Sequence, residues 1–103
     1  MFDIERTDKN GVITFSLKGT LDSDTVIKFN KAIDSLSDVG EGINIDCSEL
    51  QSISGLGFEA LARLNKMTKA FGKQCLVMSV PDNIYYIFNV TGLIDTLNIE
   101  KIA

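Results

Sequence analysis

The spacing of apolar residues in this chain switches between every second position and every third or fourth. That switching constrains the fold more than any single residue does. Phe2 to Thr7 alternates apolar and polar, Asp8-Lys9-Asn10-Gly11 supplies a turn, and Ile13, Phe15 and Leu17 then alternate with Thr14, Ser16 and Lys18. Two alternating runs joined through Asn-Gly predict a β-hairpin with one buried face and one wetter face. Gly19-Thr20-Leu21-Asp22 ends the hairpin, and Asp22 or Ser23 is placed to cap a helix in which Val26, Phe29, Ile33 and Leu36 recur at helical spacing. That helix stops before Val39-Gly40-Glu41-Gly42. Ile43, Ile45 and Cys47 then alternate with polar neighbours as a third strand.

A second helix is expected from Ser54 or Gly55 to Phe71, with a buried stripe of Gly57, Ala60, Leu61, Leu64, Thr68 and Phe71, and Gly72 closing it. Gln74 to Val80 is nearly all apolar, the pattern of a central strand covered on both faces. Pro81-Asp82 opens a short third helix with Ile84, Ile87 and Phe88 inward, Gly92 ends it, and Thr96 to Ile99 closes the chain as a short strand. The order β-β-α-β-α-β-α-β calls for right-handed crossovers, hence an α/β fold with a mixed, largely parallel sheet packed with helices. The expectation is one domain over residues 1–103, without a linker or repeat.

Composition narrows the function. The chain is 45% hydrophobic and 23% charged, the balance of an ordinary globular fold, and its net charge of −4 disfavours nucleic acid. It has no histidine, which removes His-based acid–base catalysis. Two cysteines far apart in sequence, Cys47 and Cys75, make no zinc site and read as buried thiols of a reducing cytoplasm, with a disulfide between them the lesser reading. The charged opening over Asp3, Glu5, Arg6, Asp8 and Lys9 predicts no secretory leader, and no apolar run is long enough to insert in a bilayer. Nothing pairs a nucleophile with a base, so neither an enzyme nor a cofactor is expected.

Chemistry is concentrated in one stretch, Cys47-Ser48-Glu49-Leu50-Gln51-Ser52-Ile53-Ser54-Gly55-Leu56-Gly57, where a strand hands over to a helix. Unpaired N–H groups and the positive end of the macrodipole at a helix start suit a hydroxyl or an anion. Ser54 therefore has two readings, a plain N-cap or a hydroxyl that a partner modifies, with Ser52 the lesser candidate. Leu56 and Phe58 project well off the helix stripe, so they either pack under the first helix or a loop, or form an exposed contact patch. Asp22, Asp24, Glu49 and Glu59 are an acidic rim or merely solvated charge. Tyr85 and Tyr86 read as partly buried helix residues.

With these elements in place, the chain resembles a STAS domain of the bacterial anti-sigma factor antagonist type. The resemblance spans nearly all of the chain and rests on Gly19-Thr20-Leu21-Asp22, Ile45-Asp46-Cys47-Ser48, Ser54-Gly55-Leu56-Gly57 and Thr91-Gly92-Leu93 in that order. It implies a binding module whose partner is an anti-sigma factor that is itself a serine kinase. It also implies phosphorylation by that kinase and restoration by a PP2C-type phosphatase. In the family motif Asp-Ser-Ser-Gly-Leu the acceptor falls on Ser54, with Gly55 and Leu56 following, and Asp22 falls on an aspartate near the partner surface. Ser52 and Ile53 stand where that motif has Asp and Ser, so no carboxylate adjoins the acceptor. That departure opens a second reading: a docking subunit, never modified, on the ATPase of a lipid transporter or in a stress-sensing assembly.

Overall fold

A computed structural model describes residues 1–102 of the chain. The elements run β1 (Phe2–Lys9), β2 (Val12–Leu21), α1 (Val26–Asp34), β3 (Gly42–Ile53), α2 (Gly55–Ala70), β4 (Cys75–Val80), α3 (Asp82–Thr91), a 3-10 turn (Leu93–Asp95) and β5 (Asn98–Lys101). The sheet has 5 strands in the order β1-β2-β3-β4-β5. β1 and β2 pair antiparallel through the Asn10-Gly11 turn, and every later pairing is parallel. This is the expected mixed α/β architecture.

Because each crossover steps to the next strand in the same direction, right-handedness sends every helix to the same face. The burial pattern agrees. Phe15, Leu17, Ile43, Ile45, Cys47, Cys75 and Val77 project to that face and join Phe29 and Ile33 of α1, Leu61 and Leu64 of α2, and Ile84 and Phe88 of α3 in one hydrophobic core. The residues between them in the strands, among them Thr14, Ser16, Asn44, Asp46, Leu76 and Met78, are half-buried on a face that no helix covers. β4 is thus covered on one face and not on both. Leu76 and Met78 of its apolar run stand half-buried on the open face. On the open face stand Asp3, Glu5, Asp46, Glu49 and Glu100 against Lys9 and Lys18, as the strand registers require.

Four further boundaries differ from expectation. β3 does not end at Cys47 or Ser48 but continues to Ile53, because two irregularities in its pairing with β2, at Ser16/Lys18 and Gly19/Thr20, interrupt the period of two. The closing strand begins at Asn98, after the 3-10 turn takes up Leu93–Asp95. α1 ends at Asp34, leaving Leu36 beyond it and half-buried. Phe71, expected on the buried stripe, is the C-cap of α2 and 52% exposed, since the Gly72 turn reverses the chain there. Among the described residues no helix is long and apolar enough to cross a membrane.

Both cysteines are free and buried. Cys75 pairs with Ile43, and Cys47 lies farther along β3, so their Cα atoms stand roughly 13 Å apart, well beyond disulfide reach. Removal from water pushes both thiols up to about 12. In the folded protein at pH 8 neither cysteine should react with a thiol reagent on the minute timescale, and both should react once urea unfolds the chain. Fast labelling of either one without denaturant would contradict this core.

Candidate functional site

The two ends of the site are built by β2 and β3. Beyond the second irregularity Leu21 pairs with Ile53, both buried, and the parallel strands end side by side. Ser54 follows with extended backbone (φ −133°, ψ −178°) and donates its N–H to the Leu21 carbonyl at 3.0 Å. Its own carbonyl accepts the Phe58 N–H at 3.0 Å, so Ser54 is the N-cap of α2 by backbone geometry. Its hydroxyl caps nothing. The side chain is exposed and makes no hydrogen bond among the described residues, while the N–H groups of Gly55, Leu56 and Gly57 have no acceptor within the helix. The first turn of α2 carries no acidic residue.

Gly57 and Gly55 differ in what they do. A Cβ on Gly57 would lie 2.7 Å from the Leu21 carbonyl oxygen and 2.9 Å from Ile53 Cγ1, so α2 can approach the strand ends only because no side chain is there. A Cβ on Gly55 would meet nothing within 4 Å. The space beside Ser54 is open.

Asp22 organises the neighbouring loop. Its Oδ1 accepts the Asp24 N–H at 2.9 Å and the Thr25 N–H at 3.2 Å, while Thr25 Oγ1 accepts the Asp22 N–H at 2.9 Å. Thr25 Oγ1 also donates to the Thr20 carbonyl at 2.7 Å. This reciprocal pairing across three residues satisfies donors ahead of α1 in the manner of a capping box. The bonds, the one from the Asp24 N–H foremost, hold the Asp22 carboxyl below the usual aspartate range. The N-cap of α1 is thus Thr25 and neither Asp22 nor Ser23; Asp22 holds the turn that leads into the helix. Thr25 was missed in sequence although the Asp-x-x-Thr spacing is readable.

The remaining candidates separate. Ser52 lies within β3 and caps no helix; its Oγ is 3.0 Å from Thr20 Oγ1. Phe58 takes the packed alternative and not the exposed one. It is buried and meets Phe88 of α3 edge-on, with ring centroids 5.1 Å apart. Leu56, 48% exposed, is the residue left at the surface, on the wall of a shallow hollow of about 160 Å³ between α1 and α2 that Val26, Asn30 and Arg63 also line. Arg63 holds the two helices together, donating to Asn30 Oδ1 at 2.8 Å. Glu59 borders the same hollow, whereas Glu49 faces Ser16 and Lys18 on the open side of the sheet and belongs to no rim around Ser54. On α3, Tyr85 is half-buried under Lys101, whose Nζ lies 5.5 Å from the ring centroid, but Tyr86 is 65% exposed. Asn83 Nδ2 donates to the Gln51 carbonyl at 3.2 Å and ties the start of α3 to β3, a contact with no signal in sequence.

A family model described as "STAS domain" matches residues 3–102. No protein of curated function matches the sequence. Among solved structures, an anti-sigma factor antagonist from Mycobacterium paratuberculosis superimposes with a TM-score of 0.82 at 22% identity, over 97% of this chain and 86% of that one. The anti-sigma factor antagonist SpoIIAA in its unphosphorylated form gives 0.77 at 15% identity, over 96% and 87%. A sulfate transporter family protein from Wolinella succinogenes gives 0.78 at 18%, over 91% and 80%. At such identities the likeness is one of fold.

Two predictions follow from the geometry. Gly57→Ala should cost about 1–3 kcal/mol, because the new methyl overlaps backbone, whereas Gly55→Ala should raise stability by about 0.4–1 kcal/mol; urea midpoints compare the two directly. The Asp22 contribution to stability should be present above the ordinary aspartate pKa of about 4 and be lost as pH falls through its depressed folded value. Asp22→Ala should therefore melt earlier than the parent at pH 7 and approach it at pH 2, and an equal gap at both pH values would refute this role of the carboxylate.

Proposed function

Because the chain belongs to the STAS domain family, we propose that it is an anti-sigma factor antagonist: a cytoplasmic binding module, not a catalyst. In this reading it engages an anti-sigma factor that is itself a serine kinase. Phosphorylation of Ser54 turns that partner away, and a PP2C-type phosphatase restores binding. The observation that carries the reading is the Ser54 hydroxyl, exposed at the start of α2 and committed to no hydrogen bond. Leu56 and the open space over Gly55 would form the contact around it.

The physics of such a switch follows from charge. A phosphate adds about −1.5 to −2 charges and strong acceptor oxygens. Within the domain it would meet the free N–H groups and positive dipole end of α2, with no carboxylate in the first turn to oppose it. The Ser54 backbone is held by Leu21, so the fold does not depend on the hydroxyl. Against a partner packed over Gly55 the same charge has to be desolvated. A coupling of about 2–3 kcal/mol weakens binding from about 30-fold to about 150-fold.

A second reading is favoured by a specific feature. Ser52 and Ile53 supply no carboxylate beside Ser54; Ser52 pairs with Thr20 and Ile53 is buried. The domain could then dock unmodified on a transporter ATPase or in a stress-sensing assembly, and the fold is shared with the Wolinella sulfate transporter family protein. Binding to an anti-sigma factor serine kinase decides between them. Ser54→Ala should bind it as the parent does and accept no phosphate from the kinase and ATP, while Ser54→Asp should bind at least about tenfold more weakly. Equal binding by the two variants, with no phosphate at Ser54 by mass spectrometry, would overturn the switch in favour of the docking subunit.

A further inference from the structure

A cavity of about 480 Å³ opens beside the C-terminal half of α2, away from Ser54, where the chain passes from the 3-10 turn into β5 next to the start of β4. Its size is that of small-molecule sites, roughly 300–1,000 Å³. Cys75 and Leu97, both buried, form its apolar part. Asn65 of α2 lines it too and is only 8% exposed.

Asn65 and Thr68 are the buried polar side chains among the described residues. Thr68 is satisfied, donating to the Leu64 carbonyl at 2.7 Å. Asn65 uses only a donor. Its Nδ2 donates to the Thr96 carbonyl at 3.2 Å, which sets the orientation of the amide, and its Oδ1 accepts no hydrogen bond among the described residues. No polar side-chain atom described is sealed from water without a partner, so that oxygen opens into the cavity. An acceptor held there calls for a donor.

The walls narrow what the donor belongs to. Lys69 of α2 and Asp95 of the 3-10 turn bring opposite charges to the cavity, and neither forms an ion pair among the described residues. Gln74 and Asn98 add side-chain amides that both donate and accept. An inorganic anion would suit Lys69 but meet Asp95, and a simple cation the reverse. No aromatic ring lines the cavity, so a nucleobase has nothing to stack on. A zwitterion answers both signs at once.

We infer that this cavity binds a free α-amino acid with a short apolar side chain. Its ammonium donates to Asn65 Oδ1 and the Asp95 carboxylate, its carboxylate accepts from Lys69 Nζ, and its side chain rests on Cys75 and Leu97. The inference does not depend on the role given to Ser54.

L-Valine is the probe, with isovalerate as the same skeleton lacking the ammonium and isobutylamine as the one lacking the carboxylate. Each is titrated into the isotope-labelled full chain to ~10 mM while amide NMR signals are followed, a range that reads millimolar and tighter dissociation constants. L-Valine should shift the signals of Asn65, Lys69 and Asn98 saturably, and both analogues should bind at least about tenfold more weakly. Lys69→Met and Asp95→Asn, both at exposed positions and checked for folding by circular dichroism, should each weaken L-valine at least about tenfold. Lys31→Met, which removes a charge from α1 instead, should bind as the parent does. No saturable shift with L-valine, equal binding of either analogue, binding unchanged in either cavity variant, or an equal loss in Lys31→Met would overturn the assignment.

Discussion

The carbonyl of Leu21 is the point on which the candidate site depends. It ends β2, accepts the Ser54 N–H that begins the turn into α2, and lies under Gly57, whose missing side chain lets the helix close on it. A backbone bond, a buried Leu21–Ile53 pair and a close helix approach thus coincide within a few residues. Each supports the others: without the approach of α2 the Leu21–Ile53 pair would lose its cover, and without the bond the turn would have no fixed starting direction. The side-chain oxygen of Ser54 takes no part in any of this. The position is therefore rigid in its backbone and uncommitted in its chemistry.

The neighbouring loop reaches the same condition by a different route. Asp22 and Thr25 satisfy each other's N–H groups and prepare the start of α1, so the loop beside Ser54 is held from within by short-range bonds. Phe58, one turn into α2, locks its ring against Phe88. Little in this corner is left to rearrange when something binds, which favours recognition of a fixed surface over coupled folding.

Much of this was legible in the residues. The hairpin, the three helices and the parallel order follow from alternating and helical spacing, and Gly92 ends α3 as its position suggested. The extension of β3 to Ile53 was hidden because the bulged pairing places Cys47, Leu50 and Ile53 inward three residues apart, a spacing that a period of two cannot reveal. Ser52, in the stretch where strand hands over to helix, accordingly belongs to the strand itself. Helical spacing sets Phe58 off the expected stripe, yet it is buried, because its cover comes from Phe88 of α3, which is distant in sequence. The half-open state of β4 could not be read either: apolar residues on a strand with neighbours on both sides look alike whether or not a second layer covers them. Tyr86 shows the opposite failure, an aromatic ring expected to be partly buried that is exposed, because the docking angle of α3 decides its side.

The sheet face that no helix covers has a consequence at distances beyond contact. Five carboxylates and two lysines share it, Asp3, Glu5, Asp46, Glu49 and Glu100 against Lys9 and Lys18, and even with Lys28 of α1 paired to Asp3 at 2.9 Å the face keeps an excess of negative charge. In dilute salt that field acts over tens of ångströms. An approaching negative surface is turned toward the helices before it arrives, while a positive one is drawn to the strands. The fold therefore sorts its encounters by direction, and does so less as the ionic strength rises.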